Sequence, residues 1–105
     1  LEGLVVSQPA LELPRVTAPD VKATTELHLA GKKIEKLWGF APFVNLEVLW
    51  VNRNRLRELD NLDSNFRISR LYAQDNRIDT LAGSLLRFKF LRVLNLANNS
   101  LADLD

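Results

Sequence analysis

The chain repeats itself with a period of about 22 residues, and this periodicity restricts its fold more than any other feature. The pattern Leu-x-x-Leu-x-Leu-x-x-Asn-x-Leu-x-x-Leu occurs three times in good form and once, at the start, in a weaker form. The copies begin at residues 24, 46, 68 and 91, so their spacings are 22, 22 and 23. The matching positions are Leu46, Leu49, Val51, Asn54, Leu56 and Leu59; Ile68, Leu71, Ala73, Asn76, Ile78 and Leu81; Leu91, Leu94, Leu96, Asn99, Leu101 and Leu104; and, in the weaker copy, Thr24, Leu27, Leu29, Lys32, Ile34 and Leu37.

The spacing of the apolar residues predicts an α/β solenoid. The central Leu-x-Leu of each copy alternates between two faces, as a short strand does. One coil of this length cannot bury its apolar face alone, so adjacent coils stack and their strands form a parallel sheet on the concave face. The segments between strands are too short for conventional helices, which predicts 3₁₀ or irregular turns on the convex face. These turns are expected to pack Phe40, Phe43, Leu62, Phe66, Leu85 and Phe88.

The asparagine of each repeat is predicted to form an internal ladder of Asn54, Asn76 and Asn99. Where the chain bends away from the strand, its backbone groups cannot join the sheet. A buried carboxamide has both donors and acceptors, so it can satisfy those groups. The alternative interpretation is that the three asparagines lie in solvent-exposed turns.

The chain divides into residues 1–23, which do not fit the pattern, and four repeats over residues 24–105. The first segment is interpreted as an N-terminal cap on the solenoid, or as an arm that docks on a partner. Lys32 occupies the ladder position of the first repeat and cannot replace a carboxamide, because its ammonium has no acceptor. We interpret the chain as an internal fragment of a longer protein, with the array continuing beyond its last residue.

The repeats LEVLWVNRNRLREL, ISRLYAQDNRIDTL and LRVLNLANNSLADL resemble the SDS22-like class of leucine-rich repeats. Together with TELHLAGKKIEKL, they most resemble intracellular members found in cilia and flagella, although Lys32 and Ala73 depart from the consensus. The resemblance covers about residues 24–105. It implies a scaffold or adaptor without catalytic residues, whose partners in related members include phosphatases, cytoskeletal proteins and axonemal proteins.

The strand residues that point away from the core are expected to form a partner-binding concave face. Alignment of the repeats stacks these residues into two columns and places Arg53 beside them. Exposed aromatic residues next to arginine have the composition of an interaction hot spot. Alternatively, Trp50 and Tyr72 stack on each other to stabilise the sheet, and both roles can coexist. Arg53 and Arg70 are equally well interpreted as solvated charges. The columns contain His28, Trp50, Tyr72 and Asn95, and Glu26, Val48, Arg70 and Val93.

Composition disfavours several other functions. The formal net charge of +1 provides no global attraction for nucleic acid or for an anionic membrane. The chain lacks cysteine, which favours a reducing, intracellular compartment. The chain has a single histidine, His28, with no obvious carboxylate beside it, which leaves little for a histidine-rich metal site or for nucleophilic catalysis. We therefore expect no enzyme activity, metal site, cofactor or small-molecule substrate. We interpret Trp38 as a core or cap residue.

Two other functions remain alternatives to a protein-binding scaffold. In the first alternative, the chain is a component of a ribonucleoprotein, in which Trp50 and Tyr72 stack on bases. In the second, it is the targeting module of a larger enzyme or phosphatase complex. Salt-dependent RNA binding would support the first alternative, because phosphate contacts release counterions. The sequence of the whole protein would decide the second.

Overall fold

The computed structural model describes residues 3–102 and contains one parallel sheet of four short strands. The strands are β1 (Glu26–His28), β2 (Val48–Trp50), β3 (Arg70–Tyr72) and β4 (Val93–Asn95), in the same order in the sheet as in the chain. Consecutive strands therefore belong to consecutive coils of a solenoid. The last position of the predicted pattern, Leu104, lies outside the described residues.

The strands pair in the register that the repeat spacing predicts. Leu27 is aligned with Leu49, and Leu49 is aligned with Leu71. Hydrogen bonds between coils continue beyond the strands, as in the 2.8 Å bond from the Leu29 amide to the Trp50 carbonyl. Residues about 22 positions apart thus lie beside each other along the solenoid.

The core consists of the inward-pointing leucines of the repeats. The exposed fractions of Leu27, Leu49 and Leu71 are 2%, 0% and 0%, so the middle residue of each of these strands is fully buried. Leu94, at the same position of β4, is only partly buried, because among the described residues one of its sides has no neighbouring coil. Stacking of coils, rather than any one coil, excludes water from the leucines.

The convex face consists of turns, as predicted, but one predicted core residue was wrong. Phe43 and Phe88 lie at equivalent positions of their coils and are buried. In the coil between them the equivalent inward position is occupied by Asn65, whose exposed fraction is 0%. Phe66 follows this inward position by one residue, so its side chain points outward, and its exposed fraction is 43%.

The N-terminal segment lies against the first coil. Val6 forms a parallel bridge with Lys36, and the Glu35 amide donates a 2.7 Å hydrogen bond to the Val5 carbonyl. A 3₁₀ helix (Pro9–Glu12) and the helix α1 (Ala18–Ala23) follow before β1. The Thr17 side chain caps α1 by accepting a hydrogen bond from the Asp20 amide. Neither helix is long and apolar enough to span a bilayer, and the same is true of every helix within residues 3–102.

Candidate functional site: the concave face of the sheet

The first and third residues of each strand point away from the core and form the concave face. Successive side chains of a strand alternate between the two faces of a sheet, so the buried middle leucine turns both of its neighbours outward. The parallel register then aligns His28 with Trp50, Trp50 with Tyr72, and Tyr72 with Asn95. We call this row the aromatic column.

The three rings of the aromatic column are stacked. The His28 and Trp50 ring centroids are 4.1 Å apart and the rings are inclined by 11°. The Trp50 and Tyr72 centroids are 5.2 Å apart, with an inclination of 14°. Ring pairs at such distances attract each other beyond the effect of buried area alone. The indole is therefore held between an imidazole and a phenol, and the cross-strand pair expected from the sequence is present.

The neighbouring row contains Glu26, Val48, Arg70 and Val93, which the strand register aligns. Glu26 and His28 occupy the same face of β1, and the Glu26 Oε2 atom is 3.7 Å from His28 Nε2. The expectation that His28 has no carboxylate neighbour was therefore wrong. The physical reason is that residues two apart in a strand lie on the same face. Arg70 is exposed, so this row presents a carboxylate at one end and a guanidinium further along.

A third row, formed by Asn52 and Gln74, lies beyond the aromatic column. Both side chains are partly buried. Asn52 Oδ1 and Gln74 Oε1 are inaccessible to solvent and have no hydrogen-bond partner among the described residues. Unpaired buried acceptors are unfavourable.

Arg53 lies at the turn that ends the concave face and is exposed. Its backbone is left-handed, with φ of 56°, and the equivalent residue of the first coil is Gly31, with φ of 69°. A non-glycine residue in this conformation is strained by about 1–2 kcal/mol. The position of Arg53 is thus fixed by the bend of the coil, at the margin of the aromatic column.

The asparagine ladder lies behind the concave face. Asn54 Oδ1 accepts hydrogen bonds from the Lys32 and Ile34 amides at 2.9 and 3.1 Å. Its Nδ2 donates to the Leu29 and Val51 carbonyls at 2.8 and 2.9 Å. In each case the carboxamide satisfies backbone groups that have left the sheet.

The next two asparagines repeat this arrangement. Asn76 bonds the Leu56 amide and the Val51 and Ala73 carbonyls. Asn99 bonds the Ile78 amide together with the Ala73 and Leu96 carbonyls. Asn54 and Asn76 are buried, whereas Asn99 is partly exposed.

The first coil lacks a ladder asparagine of its own and uses Lys32 differently. The Lys32 amide is bonded by the asparagine of the next coil, while its Nζ atom extends outward to within 3.3 Å of Glu12 Oε2. Glu12 belongs to the 3₁₀ helix of the N-terminal segment. Lys32, the residue that interrupts the repeat pattern, therefore forms an ion pair with the N-terminal segment that precedes the repeats.

Sequence reasoning missed Asn65, a second structural asparagine on the convex side. Asn65 Nδ2 donates hydrogen bonds to the Phe40 and Phe43 carbonyls at 2.9 and 3.0 Å. No repeat signal identifies this residue, because its equivalents are Phe43 and Phe88. Its spacing of three residues before Ile68 is the one indication that it occupies an inward position.

Trp38 was expected to be a core or cap residue, and it does not pack in the core. Its exposed fraction is 49%. Its backbone contacts the N-terminal segment: the Trp38 amide and carbonyl both hydrogen-bond to Ser7 Oγ at 2.7 Å. Leu37 and Phe40 point inward on either side of it, which leaves the intervening indole facing outward.

A small charge cluster stabilises the carboxyl-terminal side of the sheet. Lys36 Nζ lies 2.5 Å from Asp60 Oδ2 and 3.2 Å from Glu58 Oε1. The hydrogen bond with Asp60, supported by Glu58, raises the pKa of Lys36 above its ordinary value of 10.5. Within residues 3–102, no three His, Asp or Glu side chains are grouped so as to hold a metal ion.

Comparison with known proteins agrees with this geometry. No family model matches the chain. A crystal structure of an internalin from Listeria monocytogenes superimposes with a TM-score of 0.76 and 28% identity, over 85% of this chain and 26% of that one. The fold is that of leucine-rich repeat proteins. Such proteins generally act as protein-interaction scaffolds and are typically non-catalytic.

A curated relative supports the same conclusion. The chain is 36% identical over 56 residues to leucine-rich repeat-containing protein 23 of Bos taurus. The match includes 53% of this chain and 16% of the relative. The chain thus spans about a sixth of that relative and about a quarter of the internalin chain.

Proposed function

We propose that the chain is a non-catalytic scaffold or adaptor that binds a protein partner through its concave face. The observation that carries the proposal is the aromatic column, in which Trp50 is stacked between His28 and Tyr72 on an outward face of the sheet. Aromatic anchors beside arginine dominate the binding energy of many protein interfaces. Because the stack is already formed, little side-chain entropy is lost when a partner binds.

The surroundings of the column favour a protein partner of mixed polarity. Glu26 and Arg70 in the adjacent row have opposite charges, and the carboxamides of Asn52 and Gln74 supply polar atoms on the other side. Protein interfaces combine an apolar centre with a polar margin in this way. A uniformly charged polymer would meet both attraction and repulsion at the same face.

The resemblance of the repeats to the SDS22-like class, and to members found in cilia and flagella, supports a cytoplasmic role within a ciliary axonemal or cytoskeletal assembly.

We extend the proposal to the N-terminal end of the array. Residues 1–23 act as its N-terminal cap, a role supported by the backbone bonds that join the Val5 carbonyl to the Glu35 and Lys36 amides. A cap protects the outer side of the first coil, which would otherwise expose its core.

The experiment is quantitative capture of crosslinked partners from extracts of ciliated cells, followed by affinity measurement with the recovered partner. Trp50→Ala combined with Tyr72→Ala is expected to weaken binding about 30-fold, which corresponds to about 2 kcal/mol. The matched control is Trp38→Ala combined with Val16→Ala, which removes two exposed apolar side chains outside the concave face.

Urea unfolding of both double variants separates binding from stability, since loss of the two stacked ring pairs costs only about 0.2–1 kcal/mol for each pair. The control variant should capture partners as the unaltered chain does. Equal affinity of the unaltered chain and the concave-face variant would remove the proposal. So would a loss of binding confined to the Trp38 and Val16 variant.

A further inference from the structure

A shallow cleft lies beside the concave face, at the edge where the chain enters β3 and β4. Basic side chains surround it, together with one carboxylate and one exposed aromatic ring. The cleft is outside the aromatic column and was not identified by the repeat pattern. The charged and aromatic residues of its lining are Glu47, Arg67, Arg70, Lys89, Phe90 and Arg92.

The backbone of three successive coils forms the floor of the cleft. The Ser69 amide donates a hydrogen bond to the Glu47 carbonyl, and the Arg92 amide donates one to the Ser69 carbonyl, both at 2.8 Å. Glu47, Ser69 and Arg92 therefore follow one another in a row at the amino ends of the strands. The row is built by the regular stacking of coils, so the charges it carries are held in fixed order.

The positive charges of the cleft are not neutralised within the fold. Among residues 3–102, none of Arg67, Arg70, Lys89 and Arg92 forms an ion pair with a carboxylate. Like charges held close together are unfavourable for the folded state. A bound anion would relieve this repulsion, and within the cleft it would meet several cations at once.

Apolar surface adjoins the cations. The exposed fraction of Phe90 is 59%, and Leu91 next to it is partly buried. The Arg67 guanidinium carbon lies 5.7 Å from the centre of the Phe66 ring, so this cation rests on an aromatic face that is itself exposed. A ligand for this cleft therefore needs apolar groups as well as negative charge.

We propose that the cleft binds an acidic segment of a protein partner, with carboxylates directed to Arg67, Lys89 and Arg92 and an apolar side chain against Phe90. Glu47 distinguishes this ligand from nucleic acid. A polymer with a phosphate at every position places negative charge beside Glu47, whereas a peptide can place a neutral or basic residue there. The inference goes beyond the concave-face proposal and does not depend on it, because the two sites use different anchors.

The test measures binding of a fluorescein-labelled peptide, in which glutamates flank a Phe-Leu pair, to the full chain by fluorescence anisotropy. Lys89→Glu combined with Arg92→Glu is expected to weaken binding by on the order of tenfold at low salt, since two attractions become repulsions. Added salt should weaken binding to the unaltered chain. A peptide with glutamine in place of each glutamate should not bind.

The matched control is Arg55→Glu combined with Arg77→Glu. These arginines are also exposed and also form no ion pair with the described residues, but they lie past the carboxyl ends of β2 and β3. This variant has the same change in net charge and should bind the peptide nearly as well as the unaltered chain. Equal losses in the two charge-reversal variants would overturn the proposal, because they would indicate only a general charge effect.

Two further measurements separate the cleft from other sites and other ligands. Trp50→Ala combined with Tyr72→Ala should leave peptide binding unchanged, even if the concave face proves not to bind a partner. Oligothymidylate, used as a probe for nucleic acid, should bind more weakly than the acidic peptide. Tighter binding of the oligonucleotide, or no peptide binding at low salt, would also overturn the proposal.

Discussion

Replacing Asn54 with leucine tests whether the asparagine ladder holds the coils together. Leucine has nearly the same size as asparagine, so the substitution removes the hydrogen-bonding groups without leaving a large cavity. Asn54 is 7% exposed, and its carboxamide bonds the Ile34 amide and the Leu29 and Val51 carbonyls within the core. Those backbone groups have no access to water that would replace the lost bonds.

The expected magnitude follows from which groups become unpaired. The Val51 carbonyl keeps a 3.0 Å bond from Asn76 Nδ2, so its loss is small. The Leu29 carbonyl and the Ile34 amide lose buried bonds, each worth about 1–3 kcal/mol. The apolar leucine side chain recovers about 1–2 kcal/mol by its own burial. The free energy of unfolding should therefore fall by about 1–4 kcal/mol, out of a total of about 5–15 kcal/mol for a domain of this size.

Urea unfolding followed by circular dichroism measures this change. Asn45→Leu is the matched control, because the Asn45 side chain makes an exposed hydrogen bond, with the Lys22 carbonyl at 2.8 Å. The control should lose less than about 1 kcal/mol, and the slope with urea should stay the same in both variants. If Asn54→Leu is no less stable than Asn45→Leu, the ladder does not stabilise the solenoid as described.

Two other predictions concern the core and the charge cluster. In the same unfolding assay, Leu71→Ala should destabilise the fold by about 2–5 kcal/mol, because Leu71 is fully buried. The control Leu86→Ala should cost less than about 0.5 kcal/mol, because Leu86 is 83% exposed. Similar losses in the two variants would contradict the assigned register. The hydrogen bond with Asp60 raises the pKa of Lys36 in the folded state above the ordinary value of 10.5. The bond therefore stabilises the fold fully below pH 10.5, and this stabilisation is lost as the pH rises through the higher pKa of the folded state. The stability difference between the unaltered chain and Lys36→Met should therefore shrink in that alkaline range, and a difference that grows there would refute the explanation.

The repeat period was sufficient to predict the strands, their parallel order and the buried leucines. Each coil repeats the same burial pattern, and a side chain at a given position of the pattern meets its equivalents in the neighbouring coils. Leu49 and Leu71 are buried and mutually aligned for this reason. The pattern also identified which asparagines would bond the backbone, since Asn54 and Asn76 share one place in the bend.

Residues outside the pattern were less predictable. Asn65 occupies a position that is aromatic in the neighbouring coils, so the adjacent Phe66 was wrongly chosen as the inward residue. Trp38 was expected in the core or cap, but its place between the inward residues Leu37 and Phe40 leaves its side chain exposed. The cleft of Arg67, Lys89 and Arg92 is formed by two coils together. Arg67 and Lys89 are 22 residues apart, but β3 and β4 pair with an offset of 23, so these cations do not occupy equivalent positions of the repeat and the pattern does not reveal the cleft.

Hydroxyl-radical footprinting of the chain with and without its captured partner tests the central claim most directly. The chain has two tryptophans and one tyrosine, so the oxidation of each can be followed separately by mass spectrometry. Binding at the concave face predicts that Trp50 and Tyr72 become protected while Trp38 is oxidised as before. Protection of Trp38 with unchanged oxidation of Trp50 and Tyr72 would contradict the account.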